Sequence, residues 1–412
     1  MGASVNPAAL TLSRLAWLLL ATLSACSSPI RARSIDPFDE WFRTDPWKSA
    51  SVDAAHQHLS APPSIWLDEG ASRGVELRPS DGVVTLAGNG ARFVSRVVVT
   101  PASFRELLPS WNVSIPDGLA ITVDVRVREV SQKDWSNWLP IGGWSTDVGL
   151  VRGAQDSTAK EYDRGRVDVD IFRSEHQHDR AQLRVRAYAS EVSRDSTQSV
   201  ADHPIEIHDL SAVFTDFSHF APPGERSDDA VPLPQGSEAS LRHGQPLPAR
   251  SQRDVPEELR SRLCSPTSLA MVLESYGVDL PTVQVAECLY DRDNDIYGNW
   301  SRAIQGAFVL GVPGRLVRVE DWRVVEAALA RNERLIIRVR VQAGELRGAP
   351  YRQTKGHLLC LCGIDAQGWV LVNDPAATSE EGVERRYRKE DLEACWMQPS
   401  GVAYAIRAPD PH

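Results

Sequence analysis

Apolar and polar residues alternate with a period of two through much of the first half of the chain. In the segment "LAITVDVRV", Val123 and Val125 point to one side and Thr122 and Asp124 to the other. This period is typical of a β-strand with one buried and one solvated face. Segments with the same period are "GVVTLAG", "RFVSRVVVT", "RVDVDIF", "AQLRVRAYA" and "IEIHDLSAVFTDF". Short strands separated by Gly, Pro, Asp and Ser predict a jelly-roll-like β-sandwich domain over residues 61–220.

The pattern changes in the last third of the chain, where helical and strand periods interleave. Four segments have the apolar spacing of helices: "SPTSLAMVLESYG", "LPTVQVAECLYD", "NWSRAIQGAFVLG" and "VEDWRVVEAALARNE". Four others are apolar strands: "RLIIRVRV", "GHLLCLCGID", "GWVLVNDP" and "VAYAIRA". Helices followed by an antiparallel sheet predict an α+β domain over residues 247–412.

Two polar stretches set the predicted domain boundaries. The stretch "FAPPGERSDDAVPLPQGSEASLRHGQPLPARSQ" is rich in Pro, Gly, Ser and charge and has no apolar period. We therefore predict a linker over residues 221–246. A shorter polar stretch, "SSPIRARSIDPFDE", lies near the start of the chain, and residues 27–60 are predicted to form a tether that leads into the β-sandwich.

The start of the chain has the features of an export signal. Arg14 is the only charge before an apolar run at residues 15–21, which is too short to predict a spanning helix. The tetrapeptide Leu-Ser-Ala-Cys then matches a bacterial lipobox, so residues 1–26 are predicted to be a lipoprotein signal peptide with Cys26 lipidated. The alternative is an ordinary export signal with a chance Cys. A lipid on Cys26 would tether the protein to a bacterial membrane, the outer membrane facing the periplasm in a Gram-negative host, because Ser27 follows.

Composition and cysteine count narrow the possible functions. The net charge of −10 argues against a nucleic-acid partner, and a hydrophobic content of 42% is enough for ordinary cores. No cofactor is expected. The chain has six cysteines, and five remain once Cys26 is assigned to the lipid. An odd number in an exported protein cannot pair completely, so at least one thiol should be free.

Cys264 has the surroundings of a nucleophile. It directly precedes Ser265 and Pro266, and Pro is favoured in the first turn of a helix. The sulfur would then lie at the positive end of the helix macrodipole, which stabilises the reactive thiolate. The backbone N–H of Cys264 would be one oxyanion donor, and Gln252, on an extended segment 12 residues upstream, is a candidate for the second.

His357 and Asp374 are candidates for a general base and the group that orients it. His357 begins one predicted strand and Asp374 ends the next, 17 residues later, a spacing that fits a hairpin with the two side chains adjacent. Each residue alone has a structural explanation: a buried thiol, a core histidine, or an aspartate that begins a turn. The combination favours a Cys-His-Asp triad with a Gln oxyanion donor.

A family resemblance runs through "RSQ", "CSPTSLAMVL", "YGNW", "GELRGAPYRQTKGHLL", "VNDPAA", "ERRYRKEDLEACW" and "GVAYAI". Over about residues 247–407 the chain resembles the peptidase-like domains grouped with family thirty-nine of the cysteine peptidases. These are papain-fold relatives of the bacteriocin leader-peptide peptidases. The resemblance implies a papain-like fold, with Cys264 as nucleophile, His357 as base, Asp374 as its orienter and Gln252 in the oxyanion hole.

The chain also departs from its relatives. It has Cys-Ser-Pro where many relatives have Cys-Gly-Pro, so the side chain of Ser265 is expected to change the choice of substrate. The double-glycine substrate of the transporter-fused peptidases does not carry over, because no ATP-binding or spanning segment is predicted here. The stretches "LLPSWN" and "WSNW" resemble the sandwich that precedes this domain in some exported bacterial relatives.

Tryptophan is abundant in the predicted β-sandwich. Exposed rings would stack on sugars and make the sandwich a glycan-binding module, whereas buried rings would fill the core or cover a sheet edge. We favour the structural interpretation. The seven residues are Trp41, Trp47, Trp66, Trp111, Trp135, Trp138 and Trp144.

Three other patterns are weak signals for a metal or a disulfide. His176 and His178 form an i, i+2 pair in a predicted hairpin loop. The loop "DRDNDIYGN" has Asp at alternate positions, but Ile296 and Arg302 stand at the sixth and twelfth positions, where an EF-hand requires Gly and Glu. Cys360 and Cys362 share one face of a strand, where they are poorly placed to bridge each other, and are expected to be buried thiols. No metal site is predicted.

Two hypotheses from different classes follow. The first is an exported, lipid-anchored cysteine peptidase or amide hydrolase that acts on a peptide or protein substrate. The alternative is a catalytically inactive binding lipoprotein whose β-sandwich recognises a glycan or a protein partner. The first is favoured because Cys264, His357, Asp374 and Gln252 are all present, whereas a pseudoenzyme is expected to lose at least one. Acyl transfer to an amine would use the same residues as hydrolysis.

Overall fold

A computed structural model describes residues 75–78, 83–86, 90–145, 161–189, 204–216, 241–244 and 246–409. The predicted signal peptide, the predicted lipidation site Cys26, the predicted tether and most of the predicted linker lie outside these residues. Among the described residues, no helix is both long and apolar enough to cross a membrane.

The first domain is built from antiparallel strands that form one hydrogen-bonded sheet. The strand order is β1-β2-β10-β4-β9-β5-β6, with β3 and β8 also paired to β9 and β7 paired to β8. The strands are β1 (Val75–Arg78), β2 (Val83–Leu86), β3 (Arg92–Val94), β4 (Val98–Ser114), β5 (Leu119–Glu129), β6 (Leu139–Ser145), β7 (Glu161–Tyr162), β8 (Gly165–Asp168), β9 (Ile171–Ala189) and β10 (Ile205–Thr215). The long strands β4 and β9 each pair with several neighbours, so the sheet encloses a single apolar core.

The alternation in β5 has the expected direction, but both of its faces are covered. Val123 and Val125 are fully buried in the apolar core. Thr122 and Asp124, on the opposite face, are also fully buried rather than solvated. The physical reason is that arginines of β9 lie across that face. Arg184 Nε and Arg186 Nε donate to Asp124 Oδ2 over 2.9 and 2.8 Å.

The described tryptophans lie in the core or stack on arginine. Trp111 and Trp144 are buried. Trp135 and Trp138 are half-buried, and the guanidinium of Arg126 lies 4.8 Å from one ring centroid and 4.6 Å from the other. These rings therefore contact the protein itself, as the structural interpretation expects. Three further tryptophans lie outside the described residues: Trp41, Trp47 and Trp66.

The predicted strand "RVDVDIF" is interrupted by a hairpin between β8 and β9. Val169 has φ +60°, and this left-handed residue reverses the chain at the hairpin tip. The two histidines that were predicted to lie in a loop are instead part of β9. His178 is buried between the rings of Phe104 and Phe172, and burial lowers its pKa to about 4, whereas His176 is exposed beside Glu129.

The second domain packs helices against an antiparallel sheet. The helices are α1 (Cys264–Ser275), α2 (Thr282–Leu289), α3 (Trp300–Val309), α4 (Trp322–Ala330) and α5 (Lys389–Leu392), with one-turn 3₁₀ helices at Glu257–Leu259 and Glu380–Gly382 and a π-helical turn at Glu393–Met397. The strands are β11 (Leu241–Gly244), β12 (Gly314–Arg318), β13 (Arg334–Val341), β14 (Thr354–Asp365), β15 (Val370–Asn373), β16 (Glu384–Tyr387) and β17 (Val402–Ile406).

The order of this sheet is β12-β17-β13-β14-β15-β16, with β11 paired to β14. All four predicted helices and all four predicted strands are present. Strands β11, β12 and β16 were not predicted, because they are short and their charged residues obscure the apolar period. Residues 265–273 of α1 are all buried, so this helix forms the centre of the domain, with its first residue at one end of the sheet.

Two amide side chains join the domains through reciprocal hydrogen bonds. Asn112 of β4 donates to the carbonyl of Gly314 over 2.7 Å and accepts from its N–H over 3.1 Å. Gln305 of α3 donates to the carbonyl of Val113 over 2.7 Å and accepts from its N–H over 2.9 Å. Both amides are buried. Separating the domains would therefore leave several buried polar groups unpaired.

The β8–β9 hairpin makes a third polar contact between the domains. The carboxylate of Asp170 accepts from the backbone N–H groups of Trp300 and Ser301, the first two residues of α3, over 2.5 and 3.2 Å. Burial raises the pKa of Asp170 to about 7, against the opposing effect of these two bonds. Apolar residues add to the interface, since Leu108 and Val213 are buried in the core of the second domain.

Candidate active site

Cys264 is the first residue of α1 and is half-buried. The backbone N–H groups of Leu358 and Ser265 lower the pKa of its thiol. Pro266 follows within the first turn, as the sequence predicted. The sulfur therefore lies at a helix N-terminus, where the macrodipole and unpaired N–H groups stabilise a negative charge.

His357 and Asp374 meet because β14 and β15 form the expected antiparallel hairpin. His357 Nε2 lies 2.7 Å from Asp374 Oδ1, and both side chains are buried. The thiol of Cys264 also raises the pKa of the ring, and because Asp374 holds Nε2, Nδ1 is the nitrogen left to face the sulfur. The structure thus brings together the three residues predicted from the sequence, with the imidazole of His357 between the thiol of Cys264 and the carboxylate of Asp374.

The charges of the three groups depend on one another. Burial alone would lower the pKa of His357, but the carboxylate of Asp374 and the thiol of Cys264 raise it to about 10. Burial would raise the pKa of Cys264, but its hydrogen bond to His357 and the imidazolium charge outweigh this and lower it. Burial likewise opposes a charge on Asp374, and His357 lowers its pKa below the ordinary value. The shifts of Cys264 and His357 both favour the thiolate–imidazolium pair over the neutral thiol and imidazole.

Asp374 is fixed by more than the histidine. Its Oδ1 also accepts from the backbone N–H of Ala376 over 3.0 Å, and its Oδ2 accepts from the hydroxyl of Tyr387 over 3.1 Å. The backbone N–H of Asp374 donates to the carbonyl of Val383 over 2.9 Å. A carboxylate held in this way cannot rotate away from the imidazole, so it can set the tautomer of the ring.

Gln252 hydrogen-bonds to two chain segments of the site, the one that follows Asp374 and the one that precedes Cys264. Its backbone N–H donates to the carbonyl of Pro375 over 2.8 Å, next to Asp374. Its Nε2 donates over 2.6 Å to the carbonyl of Arg260, four residues before Cys264. A primary amide has two N–H donors, so one remains for a ligand. Its buried Oε1 has no hydrogen-bond partner.

Three tyrosines at the site were not identified from the sequence. Tyr387 bonds Asp374 as described above. Tyr351 packs edge-on against His357, with ring centroids 4.9 Å apart. The hydroxyl of Tyr404 lies 3.2 Å from Ser265 Oγ, beside the nucleophile. No local pattern distinguishes these tyrosines from core residues, because their roles depend on contacts between distant strands.

The other described cysteines differ from Cys264 in their environment. Cys360, Cys362 and Cys395 are buried, and the thiols of Cys360 and Cys362 are free. Burial raises the pKa of Cys360 well above its ordinary value and that of Cys362 to about 12. The prediction that Cys360 and Cys362 are buried thiols is confirmed.

In the aspartate-rich loop, the carboxylates of Asp291 and Asp295 accept hydrogen bonds from neighbouring side chains of the protein. Asp291 accepts from the side-chain amides of Asn294 and Asn299 over 2.8 and 2.9 Å. Asp295 accepts from Arg262 and from the hydroxyl of Tyr290, each over 2.7 Å. Within the ranges that the structure describes, no group of three or more His, Cys, Asp or Glu side chains is arranged to hold a metal.

Residues 245–404 match the model of the Peptidase_C39 like family. The C-terminal domain is a C39-like peptidase domain. Residues 37–201 match a second model, described as the Peptidase C39 N-terminal domain. The family resemblance of the C-terminal domain and the predicted fold class are thereby confirmed. The domain boundaries, the lipid anchor and the roles of the site residues stay predictions.

Several solved structures are similar to this C39-like domain. A double glycine motif protease from an AMS/PCAT transporter, in complex with the leader peptide, is 19% identical, with 40% of this chain and 95% of that chain covered and a TM-score of 0.29. A putative C39-like peptidase from Bacillus anthracis is 16% identical, with 42% and 100% covered and a TM-score of 0.31. The peptidase domain of Streptococcus ComA, a bi-functional ABC transporter, is 18% identical, with 36% and 93% covered and a TM-score of 0.27. No curated protein matches the chain. The assignment therefore rests on the family match.

Proposed function

We propose that this protein is an exported, lipid-anchored cysteine peptidase or amide hydrolase. The observation that carries the proposal is the placement of Cys264 at the start of α1 beside His357, whose ring lowers the pKa of the thiol and whose Nε2 lies 2.7 Å from Asp374 Oδ1. The match to a peptidase family supports a peptide or protein as the substrate. The sequence of charges, thiolate then imidazolium then carboxylate, is the one that nucleophilic attack on an amide requires.

The proposed reaction has two steps. The Cys264 thiolate attacks the amide carbonyl, and the resulting oxyanion accepts hydrogen bonds from the Cys264 backbone N–H and the spare Nε2 hydrogen of Gln252. The imidazolium of His357 gives its proton to the leaving amine, which departs and leaves a thioester on Cys264. His357 then removes a proton from water, whose oxygen attacks the thioester. The acid product leaves, and the thiolate–imidazolium pair forms again.

The first prediction is selective alkylation of Cys264. In the folded protein, iodoacetamide should modify Cys264 at least about 10²-fold faster at pH 6.5 than Cys360, Cys362 or Cys395, because its pKa is lowered and theirs are raised or shielded by burial. The rate should fall only below the lowered thiol pKa, and the imidazolium should persist up to its pKa of about 10. Peptide mapping by mass spectrometry after timed quenching measures each rate.

The same measurement separates the peptidase from the inactive binding lipoprotein. The urea-unfolded protein is the control, because every thiol is then exposed and has an ordinary pKa. If Cys264 in the folded protein is alkylated no faster than Cys264 in the unfolded protein, the catalytic proposal is wrong. A glycan- or protein-binding role for the first domain would be the remaining explanation.

The second prediction concerns the membrane anchor, which depends on residues outside the described ranges. Cys26→Ser should remove the lipid acceptor, so the protein should move from the membrane fraction to the soluble fraction or accumulate with its signal peptide uncleaved. Fractionation and immunoblotting of the expressing bacterium measure this. Cys395→Ser, at a cysteine of the second domain, is the control. An unchanged membrane fraction for Cys26→Ser would contradict the anchor.

A further inference from the structure

Tyr351 covers the histidine and carboxylate of the site. It lies in the loop between β13 and β14, and its ring plane makes an angle of 68° with that of His357 at a centroid distance of 4.9 Å. Its hydroxyl is buried beside the Asp374 carboxylate, but it does not meet the distance and angle requirements of a hydrogen bond to any protein atom. The contact with the site is therefore made by the ring, and the hydroxyl contributes no bond to it.

The loop that carries Tyr351 is held in place at several points. Arg347 donates to both carboxylate oxygens of the buried Asp391 over 3.2 Å. Arg385 donates to the carbonyl of Gly348 over 2.6 Å. Leu346 is buried in the apolar core on that side of the sheet. These contacts fix the backbone on the N-terminal side of Tyr351, so the ring has a defined position over His357.

We propose that Tyr351 is a positioning residue whose ring excludes water from the hydrogen bond between His357 and Asp374. The inference rests on the proposed function and adds a residue to its machinery. His357 and Asp374 are almost completely buried, while Tyr351 is half-buried and so separates them from solvent. An ion pair is stronger where water is excluded, because the effective dielectric constant is lower.

The loss of this ring has a definite chemical consequence. Water at the His357–Asp374 hydrogen bond would weaken the hold of the carboxylate on the imidazolium, and the pKa of His357 would fall. A less stable imidazolium would stabilise the Cys264 thiolate less, so the pKa of the thiol would rise. Since one pKa unit changes the thiolate fraction tenfold at a pH below the pKa, the effect should appear as slower alkylation at low pH.

The test compares Tyr351→Ala with Tyr351→Phe in the full chain. Iodoacetamide alkylation of Cys264 is followed from pH 4 to 9, with thermal unfolding as a check on folding. Tyr351→Phe should react within about twofold of the wild type, because it keeps the ring and removes a hydroxyl without a partner. Tyr351→Ala should raise the apparent thiol pKa by about one unit and slow alkylation about tenfold at acidic pH. If Tyr351→Ala does not fold, Tyr351→Leu should raise the apparent thiol pKa in the same direction by a smaller amount, because leucine covers less of the ring of His357.

The matched control is Tyr188→Ala, at a half-buried tyrosine of β9 in the first domain. It should leave the pH profile unchanged. A Tyr351→Ala profile that overlays the wild type would overturn the inference, and so would a Tyr351→Phe variant as impaired as Tyr351→Ala, since the hydroxyl would then carry the effect. If wild-type Cys264 is itself unreactive, the proposed function fails as well, and that outcome is distinct from the other two.

Discussion

Cys264→Ala should abolish peptide-bond hydrolysis, and His357→Ala should lower kcat by about 10⁴-fold or more, because each variant removes a group that no neighbour replaces. Asp374→Asn should lower kcat on the order of 10⁴-fold while the protein stays folded. An amide at that position can donate to Nε2 and stabilise the wrong tautomer of His357. The double variant of Cys264 and His357 should be no slower than Cys264→Ala alone, since the residues act as one unit. Turnover of any peptide that the wild type cleaves measures these effects.

Matched substitutions at exposed positions serve as controls for this first prediction. His176→Ala and Asp117→Asn change the same residue types on the surface of the first domain and should leave kcat unchanged. Circular dichroism should show intact folds for all variants. A fully folded His357→Ala protein that retains wild-type turnover would remove His357 from the mechanism and leave the binding lipoprotein as the better hypothesis.

The sequence predicted much of the second domain because its signals are local. The apolar period identified all four long helices, and Pro266 together with the apolar run after it located the start of α1. The pairing of His357 with Asp374 followed from hairpin geometry, since only a short turn separates β14 from β15. Such predictions succeed because the residues that decide them are neighbours in the chain or on adjacent strands.

The features that the sequence did not predict depend on contacts between distant segments. Tyr387 contacts Asp374 because β16 pairs with β15. The sequence of β16 has no apolar period, so this strand could not be predicted. Asp124 was expected on a solvated face, yet it is buried beneath two arginines of β9. Long polar side chains that fold over a sheet can bury a face that alternation alone assigns to water.

The contact between the domains extends to the surroundings of the nucleophile. Asp170 of the first domain bonds the first two N–H groups of α3. Trp300, at the start of α3, packs edge-on against Tyr404 with ring centroids 5.4 Å apart, and Tyr404 reaches Ser265. These contacts allow the first domain to support the peptidase-like domain structurally, whether or not it also binds a ligand.

Truncating either amide at this interface should produce a large loss of stability. Asn112→Ala leaves the buried N–H and carbonyl of Gly314 unpaired, and Gln305→Ala does the same to Val113. An unsatisfied buried polar group costs about 1–3 kcal/mol, and each variant leaves two of them, so each should lose roughly 2–6 kcal/mol of unfolding free energy. Equilibrium urea unfolding, followed by tryptophan fluorescence, measures the loss.

Exposed amides provide the comparison that makes this second prediction specific. Asn137→Ala in the first domain and Gln353→Ala in the second remove the same side chains from the surface and should change the unfolding free energy by less than about 0.5 kcal/mol. The interface variants should also separate a single unfolding transition into two, because the domains no longer support each other. If Asn112→Ala and Gln305→Ala unfold like their exposed controls, the domains are not energetically coupled. The β-sandwich would then not contribute to holding Cys264 in its position.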